Sequence, residues 1–415
     1  MFVERSAGRI RFARTVFVLA GLLPCAALAA WAVHLRSTGH REALRLAWQR
    51  EIGIPLQVDA VRHPRPGVVR AVGCRLLAPG GVGAVALPDV EIETAATEVR
   101  LRIDRFVCDA AAARLLGDLV REWLEREARY PRDCVVEIAD FGWATLPTAV
   151  PSGLRVECVI RDGSRAVRAV RAAGPGVRQD EFRVVRTGST ADASERLEAE
   201  GDCAGPIPLA VAVAALGGDA SAAGAATVAG QWHAVREDGR WSGSAEGRID
   251  ELDLANCTAR LQARATGAAT AVIRRLTWSG DRIRDAEIEC TVGRGRVEQR
   301  LVDGLVSTVG CRPGSAHRTL SGAAERSFDA AGCVLRLDPR GIELLSGAKL
   351  GGALAVADGL SIVDPPAGIL PPERLAWLLA PPGAVFVPSA GPGAWLLDVM
   401  PRADQAARPG TGGGF

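Results

Sequence analysis

CTARLQARAT, residues 257–266, alternates without a fault: Cys257, Ala259, Leu261, Ala263 and Ala265 fall on one side, Thr258, Arg260, Gln262, Arg264 and Thr266 on the other. Such a period of two predicts a β-strand with one apolar and one wetted face. What the apolar face rests against decides the fold. A second sheet, a helix and lipid are the three candidates.

The same texture runs through much of the chain. It recurs in PLQVDAV (55–61), VVRAVGCRLL (68–77), VEIETAATEVRLRI (90–103), CVVEIAD (134–140) and GLRVECVI (153–160). Further on come WSGSAEGRIDELDL (241–254), RRLTWSGDRIRDAEIECTVG (274–293) and CVLRLDPRGIELL (333–345). The turns HPRPG and APGGVG, and the pairs Asp238-Gly239, Ser279-Gly280 and Arg340-Gly341, supply what strand connections require. The expectation is a mainly β fold: a long curved antiparallel sheet or a β-sandwich-like groove, with a few short helices, behind one N-terminal transmembrane helix.

Arg5, Arg9, Arg11 and Arg14 precede TVFVLAGLLPCAALAAWAVHL (15–35), which holds no charged residue other than His34. At 1.5 Å per residue this run spans about 30 Å, one hydrocarbon core. A retained signal anchor and a signal peptide cut after Ala27-Leu28-Ala29 both fit; the apolar run past that site favours the anchor. The short arginine-bearing arm then stays in the cytoplasm and the bulk of the chain lies outside it.

The expected organisation is a cytoplasmic arm (1–14), the anchor (15–35) and a first β-rich region (36–203). An Ala/Gly-rich connector (204–231) leads to a second β-rich region (232–401) and a disordered tail (402–415). Two helices interrupt the first region. HREALRLAWQRE (40–51) carries Leu44 and Trp48 on one stripe; its Trp48 suits a membrane interface, and packing on the first strands explains it equally. The second helix (109–129), with Asp109 as N-cap and Pro131 after it, aligns Leu115, Leu119 and Trp123 beside Leu116, Val120 and Leu124 as a cap on the sheet. Shorter helices are expected at 209–216 and 371–382.

Formal net charge is only +2, and the basic residues, all Arg except Lys349, form no patch. Nucleic acid is therefore not expected as a partner. The ten cysteines form no C-x-x-C motif. Cys74, Cys134, Cys158, Cys290 and Cys333 each alternate in phase with apolar neighbours, as small buried hydrophobes do. Cys311 and Cys333 are the first pair to consider for a disulfide. The five histidines share no metal-binding spacing, and no P-loop, nucleophile elbow or intact G-x-G-x-x-G is present. No catalytic residue, metal site or cofactor is expected, and the chain does not read as an enzyme.

The order of anchor, amphipathic helix, GIPLQVDAV (53–61), GVVRAVGCRLLAP (67–79) and VEIETAATEVRLRIDRF (90–106) resembles the start of the AsmA-like family of envelope proteins, relatives of the translocation-and-assembly-module proteins. WSGSAEGRIDELDL and RLTWSGDRIRDAEIECTVGRGRVE (275–298) resemble the strand-turn-strand texture of their bodies. The resemblance implies anchoring in the inner membrane as a single-pass protein with its bulk in the periplasm. It also implies a sheet whose inner face is an apolar groove for lipid, in support of envelope or outer-membrane biogenesis. The candidate lining is Val90, Ile92, Val99, Leu101, Ile103, Val156, Cys158, Ile160, Leu261, Ile288, Cys290, Val292 and Leu335. The alternative is an anchored β-rich scaffold that binds an envelope protein and no lipid.

Overall fold

The computed structural model describes residues 7–52, 56–77, 84–125, 132–146, 152–161, 163–172, 179–188, 195–259, 263–319, 324–378 and 392–401. They form a mainly β fold with few helices: one large mixed sheet of 19 strands and a second sheet of three. The chain divides into two compact units, residues 1–106 with 125–140 and residues 107–124 with 141–415.

The first unit opens on α1 (Ala7–Phe17), a π turn (Val18–Leu22) and α2 (Leu23–Leu35). Together they contain an apolar helix, Arg11–Leu35, long enough to cross a membrane. Pro24 stands just past the π turn; its ring and missing N–H disrupt regular α-helix, and a widened turn absorbs that disruption. Helix α3 (Thr38–Ile52) docks on the strands that follow. Arg41 donates to the Asp59 carbonyl at 2.7 Å and Arg45 to the Leu56 carbonyl at 3.1 Å. Trp48 is buried, which is the packing role rather than a ring displayed to a membrane interface.

Strands β1 (Leu56–Gln57) and β2 (Ala60–Arg65) both pair with β3 (Val68–Leu77), which pairs with β4 (Ala84–Thr94), and β4 with β5 (Glu98–Cys108). The expected segment 90–103 is thus a hairpin. One of its faces carries Arg70 bonded to Asp89 at 2.7 Å; the other aligns Val69, Ile92 and Leu101 in one row and Ala71, Val90 and Ile103 in the next. Strand β6 (Asp133–Trp143) runs parallel to β5, because Asp133 N–H donates to the Thr97 carbonyl and Ala144 N–H to the Cys108 carbonyl. Parallel neighbours need a crossover connection, and α4 (Ala110–Glu125) supplies it. The expected array was antiparallel throughout; the parallel β5–β6 pair makes the sheet mixed.

In the second unit α4 is capped by Asp109, whose side chain accepts from Ala112 N–H at 2.7 Å. Ala112, Ala113, Leu115, Trp123 and Leu124 are buried, while Leu116 is exposed. The end expected at Tyr130 and Pro131 lies outside the described residues. Strands β7 (Ser152–Arg161), β8 (Ser164–Arg171), β9 (Asp180–Thr187) and β10 (Arg196–Pro208) form an antiparallel run. It continues through α5 (Leu209–Ala215) into β11 (Thr227–Glu237) and β12 (Arg240–Asp253). Residues 204–231 therefore carry the end of β10, all of α5 and the start of β11. Asp238 and Gly239, with φ of 49° and 76°, make the tight β11–β12 turn in the left-handed region that twisted hairpins prefer.

Among the described residues of 257–266, Cys257 and Thr258 end α6 (Leu254–Thr258), and Ala265 and Thr266 extend as β13 (Ala265–Thr266), so the expected ten-residue strand is not formed. Asp253 caps α6 by accepting from Ala255 N–H at 2.9 Å, and the buried Thr258 hydroxyl accepts from Ala265 N–H at 3.1 Å. Ala, Leu, Arg and Gln favour helix, so an alternating string of them yields to a capped turn. Leu261 lies outside the described residues.

Beyond it, β14 (Ala268–Ser279), β15 (Arg282–Val292), β19 (Ala330–Asp338) and β20 (Gly341–Ser346) extend the large sheet. Between β15 and β19 come β16 (Gly295–Glu298), α7 (Gln299–Gly304), a π turn (Leu305–Val309), β17 (Arg312–Pro313), α8 (Ser315–Thr319) and β18 (Glu325–Phe328). Strands β13, β16 and β18 form the small sheet. The chain closes with β21 (Ala355–Ala357), β22 (Leu360–Asp364), α9 (Pro372–Leu378) and α10 (Pro392–Val399). The expected helix at 371–382 is α9 as far as Leu378; its remainder, and the tail 402–415, lie outside the described residues.

Candidate functional site

Strand register in the second unit generates two faces of opposite character. One row runs Val156, Ala169, Phe182, Gly201, Trp232, Ala245, Leu276, Ala286, Leu337 and Ile342, each directly paired to the next. Every member is apolar or glycine. The neighbouring row, one residue along each strand, points the other way: Glu157, Arg168, Arg183, Glu200, His233, Ser244, Thr277 and Asp285. The side-chain period of two across ten strands produces this division.

The polar face is laced by ion pairs. Arg168 meets Glu181 at 2.7 Å, Arg183 meets Glu200 at 3.3 Å, His233 meets Glu198 at 3.0 Å, and Arg274 meets Glu289 at 2.5 Å. The Arg168 guanidinium, through its hydrogen bond, holds the Glu181 carboxyl below the usual carboxylate range, and His233 does the same for Glu198. A hollow of about 570 Å³ is walled by Glu200, His233, Arg274 and Arg275 together with Trp232, Ala245 and Leu276. Arg183, Glu198, Glu289 and Asp285 partner the first four, and among the described residues no group of three or more His, Cys, Asp or Glu is placed to hold a metal ion.

The apolar face is covered at both ends. Over β8 and β9 lies the C-terminus of α4: Arg165, across its strand pair from Arg186, donates to the Trp123 carbonyl, and Arg186 to the Leu124 carbonyl, each at 2.7 Å. Both arginines are buried, and Arg165 stacks 5.0 Å above the Trp123 ring. Two cations directly opposed repel; here the negative end of a helix compensates. The helix approaches α5 so closely that a Cβ on Gly117 would lie 2.5 Å from the Ala215 carbonyl oxygen. At the far end Ala286, Leu337 and Ile342 join a core with Val309, Cys311, Leu354, Val363, Leu370 and Met400, and helix side chains such as Leu375 and Leu396 pack against it.

Between these covers the face changes. Strand β12 is paired on both edges, yet none of its residues is buried. Trp241, Gly243, Ala245, Gly247 and Ile249 point to the apolar side, and Trp241 is 38% exposed. Its flanks carry indoles seated against glycine. Trp232 covers Gly201, where a Cβ would meet Nε1 at 2.3 Å, and Trp278 covers Gly243, where a Cβ would meet the ring at 2.5 Å. Bare backbone beneath an aromatic ring is thereby shielded without a side chain of its own. The result is a smooth window of indole, alanine and glycine between two closed cores.

The expected lining residues separate into groups. Val90, Ile92 and Ile103 are buried, and Val99 and Leu101 half-buried, on one face of the first unit. Val156, Cys158 and Ile160 are half-buried on β7. Ile288 and Leu335 face each other but pack against the C-terminal core, and Val292 packs against a second cluster with Val302 and Phe328. Cys290 is half-buried opposite Cys333. The window is instead Trp232, Trp241, Ala245 and Trp278, while Leu276, like Ile288 and Leu335, packs against the C-terminal core. The segment 241–254 was read as alternating strand, but Trp241, Gly243, Ala245, Gly247 and Ile249 were not singled out as a lining. No family model matches this chain, nor does any curated protein or solved structure.

Proposed function

We propose that this chain is a single-pass envelope protein, held in the inner membrane by Arg11–Leu35, whose uncovered apolar face binds acyl lipid or hands it on. The carrying observation is β12, a doubly paired strand with no buried side chain whose inward residues are all apolar or glycine. An apolar patch open to water is unfavourable unless something covers it. Aliphatic and aromatic surface whose only polar side-chain groups are indole N–H suits acyl chains, and an apolar N-terminal helix would keep the face near a supply of them. The arginines at the N-terminus favour a cytoplasmic arm and a periplasmic bulk. The texture that resembles AsmA-like proteins points the same way. No residue in this reading performs catalysis.

The scaffold reading draws on the covered ends of the face: most of the apolar row is core, so a protein partner need only cover the window. One comparison separates the two. Residues 37–401 are produced in a bacterial periplasm, purified without detergent and extracted for lipid mass spectrometry. Stoichiometric acyl lipid is expected, and Ala245→Glu should abolish it while Ser244→Glu, on the polar face, leaves it. Folded protein with no lipid above an unrelated β-sandwich control would overturn the lipid reading.

A further inference from the structure

Cys290 on β15 and Cys333 on β19 stand directly opposite each other in antiparallel register, and both are thiols. Opposed residues in such a ladder have Cα atoms about 4.5 or 5.5 Å apart, inside the range of roughly 4.4–6.8 Å that disulfides span. Both side chains leave the same face. Cys311 was the first partner to consider for Cys333; the register supplies Cys290 instead, with Cys311 in the core that Cys333 packs against.

The electrostatics single out the same pair. The Cys333 thiol donates to the Cys290 sulfur, which brings Cys290 down to about 7 and pushes Cys333 up, burial adding to the rise. Burial drives Cys74 and Cys311 up to about 11, and Cys108 and Cys203 up to about 12. A thiolate is the attacking species in exchange, so Cys290 is the nucleophile of this pair, while burial keeps Cys74, Cys108, Cys203 and Cys311 as thiols.

We propose that Cys290 and Cys333 are an oxidation site, closing as a cross-strand disulfide by exchange with a disulfide-bearing oxidant. The Cys290 thiolate attacks one sulfur of R–S–S–R; that bond breaks, and RS⁻ leaves and takes up the proton Cys290 had shed. Cys333 then gives up its proton and attacks the Cys290 sulfur of the mixed disulfide, expelling the second RS⁻, which leaves as RSH. Two electrons and two protons pass from the cysteine pair to the oxidant, which becomes two RSH. The new bond ties β15 to β19 within the large sheet and closes the loop that holds β16 to β18, α7 and α8. That the bond is closed in the cell rests on the periplasmic reading above; the pairing rests on register alone.

The full chain in detergent micelles is equilibrated with oxidised glutathione or with dithiothreitol, then alkylated under denaturing conditions, digested and mapped by mass spectrometry. Oxidation is expected to give a Cys290–Cys333 linked peptide, lighter by two hydrogens than its reduced halves, and to raise Tm by roughly 5–15 °C. Cys290→Ser and Cys333→Ser should each lose the link, and Cys311→Ser should keep it. A Cys311–Cys333 link, or full alkylation after oxidation in protein whose circular dichroism shows it folded, would overturn the proposal. The same mapping on acid-trapped cells tests the compartment separately: a link formed by glutathione but absent in cells leaves the pair standing and overturns the periplasmic placement.

Discussion

Asp180 is fully buried in the second unit, opposite Arg171 in the β8–β9 ladder. One carboxylate oxygen accepts from Arg171 Nε at 2.6 Å and the other from Gly205 N–H at 2.9 Å, while Arg171 stacks 5.3 Å over the Trp143 ring. A buried charge is tolerable only when paired and hydrogen-bonded. Asp180→Asn keeps the shape and leaves the guanidinium without its counter-charge, so it should cost about 3–5 kcal/mol. Denaturant unfolding of the full chain in detergent would measure this, and a loss below about 1 kcal/mol would contradict it. Nothing in the sequence announced the pair, because Arg171 and Asp180 each look like ordinary charges beside a loop; only the register joins them. The Asp109 cap, by contrast, was readable, since capping depends on a residue type placed just before an apolar-periodic run. Local chemistry leaves its mark in sequence, and cross-strand chemistry does so only once partners are known.

At the scale of elements, strands with bulky β-branched residues were legible almost to the residue: 68–77 is β3 as read, and 153–160 falls inside β7. Alternation misled at 257–266, where the residues were helix formers and a capping aspartate stood upstream. Strand direction was not legible at all. Period two says nothing about orientation, so α4 was read as a cap on the sheet, which it is over β8 and β9, but its second role as the crossover of the parallel β5–β6 pair was not. Element contacts also carry a pH dependence. His40 on α3 lies 3.1 Å, Nε2 to Nε2, from His63 on β2. Burial first, and then the neighbouring His63 and His34 rings, hold His40 below the usual histidine value. Arg41, Glu42 and Asp59 are the other charged groups around this contact. The folded state therefore favours neutral His40. Its contribution is present above about pH 6.5 and is lost as pH falls through the lowered value. Hydrogen exchange should show α3 and β2 opening together on acidification, and less so in His63→Gln. Protection that is unchanged between about pH 7.5 and pH 5 would sink this account of the contact.

For the whole molecule, composition and alternation carried the class, mainly β with an apolar N-terminal helix, and the amphipathic sheet of the second unit follows from them. What covers that sheet was beyond reach. Ile288 and Leu335 were rightly placed on an apolar face, yet side chains of α9 and α10, far downstream in sequence, pack against the same core, and no periodicity encodes a distant cover. The window on β12 is the residue of that packing, and it is where the functional claim stands or falls. The most direct measurement places a photo-activatable benzophenone side chain at Ala245 or at Ser244 of the full chain in its native membrane. The two positions are adjacent in sequence and opposed in facing. Irradiation should yield acyl-lipid adducts at position 245 and none at 244. Equal labelling at both, or a protein adduct at 245 in place of lipid, would contradict the claim that this face carries lipid.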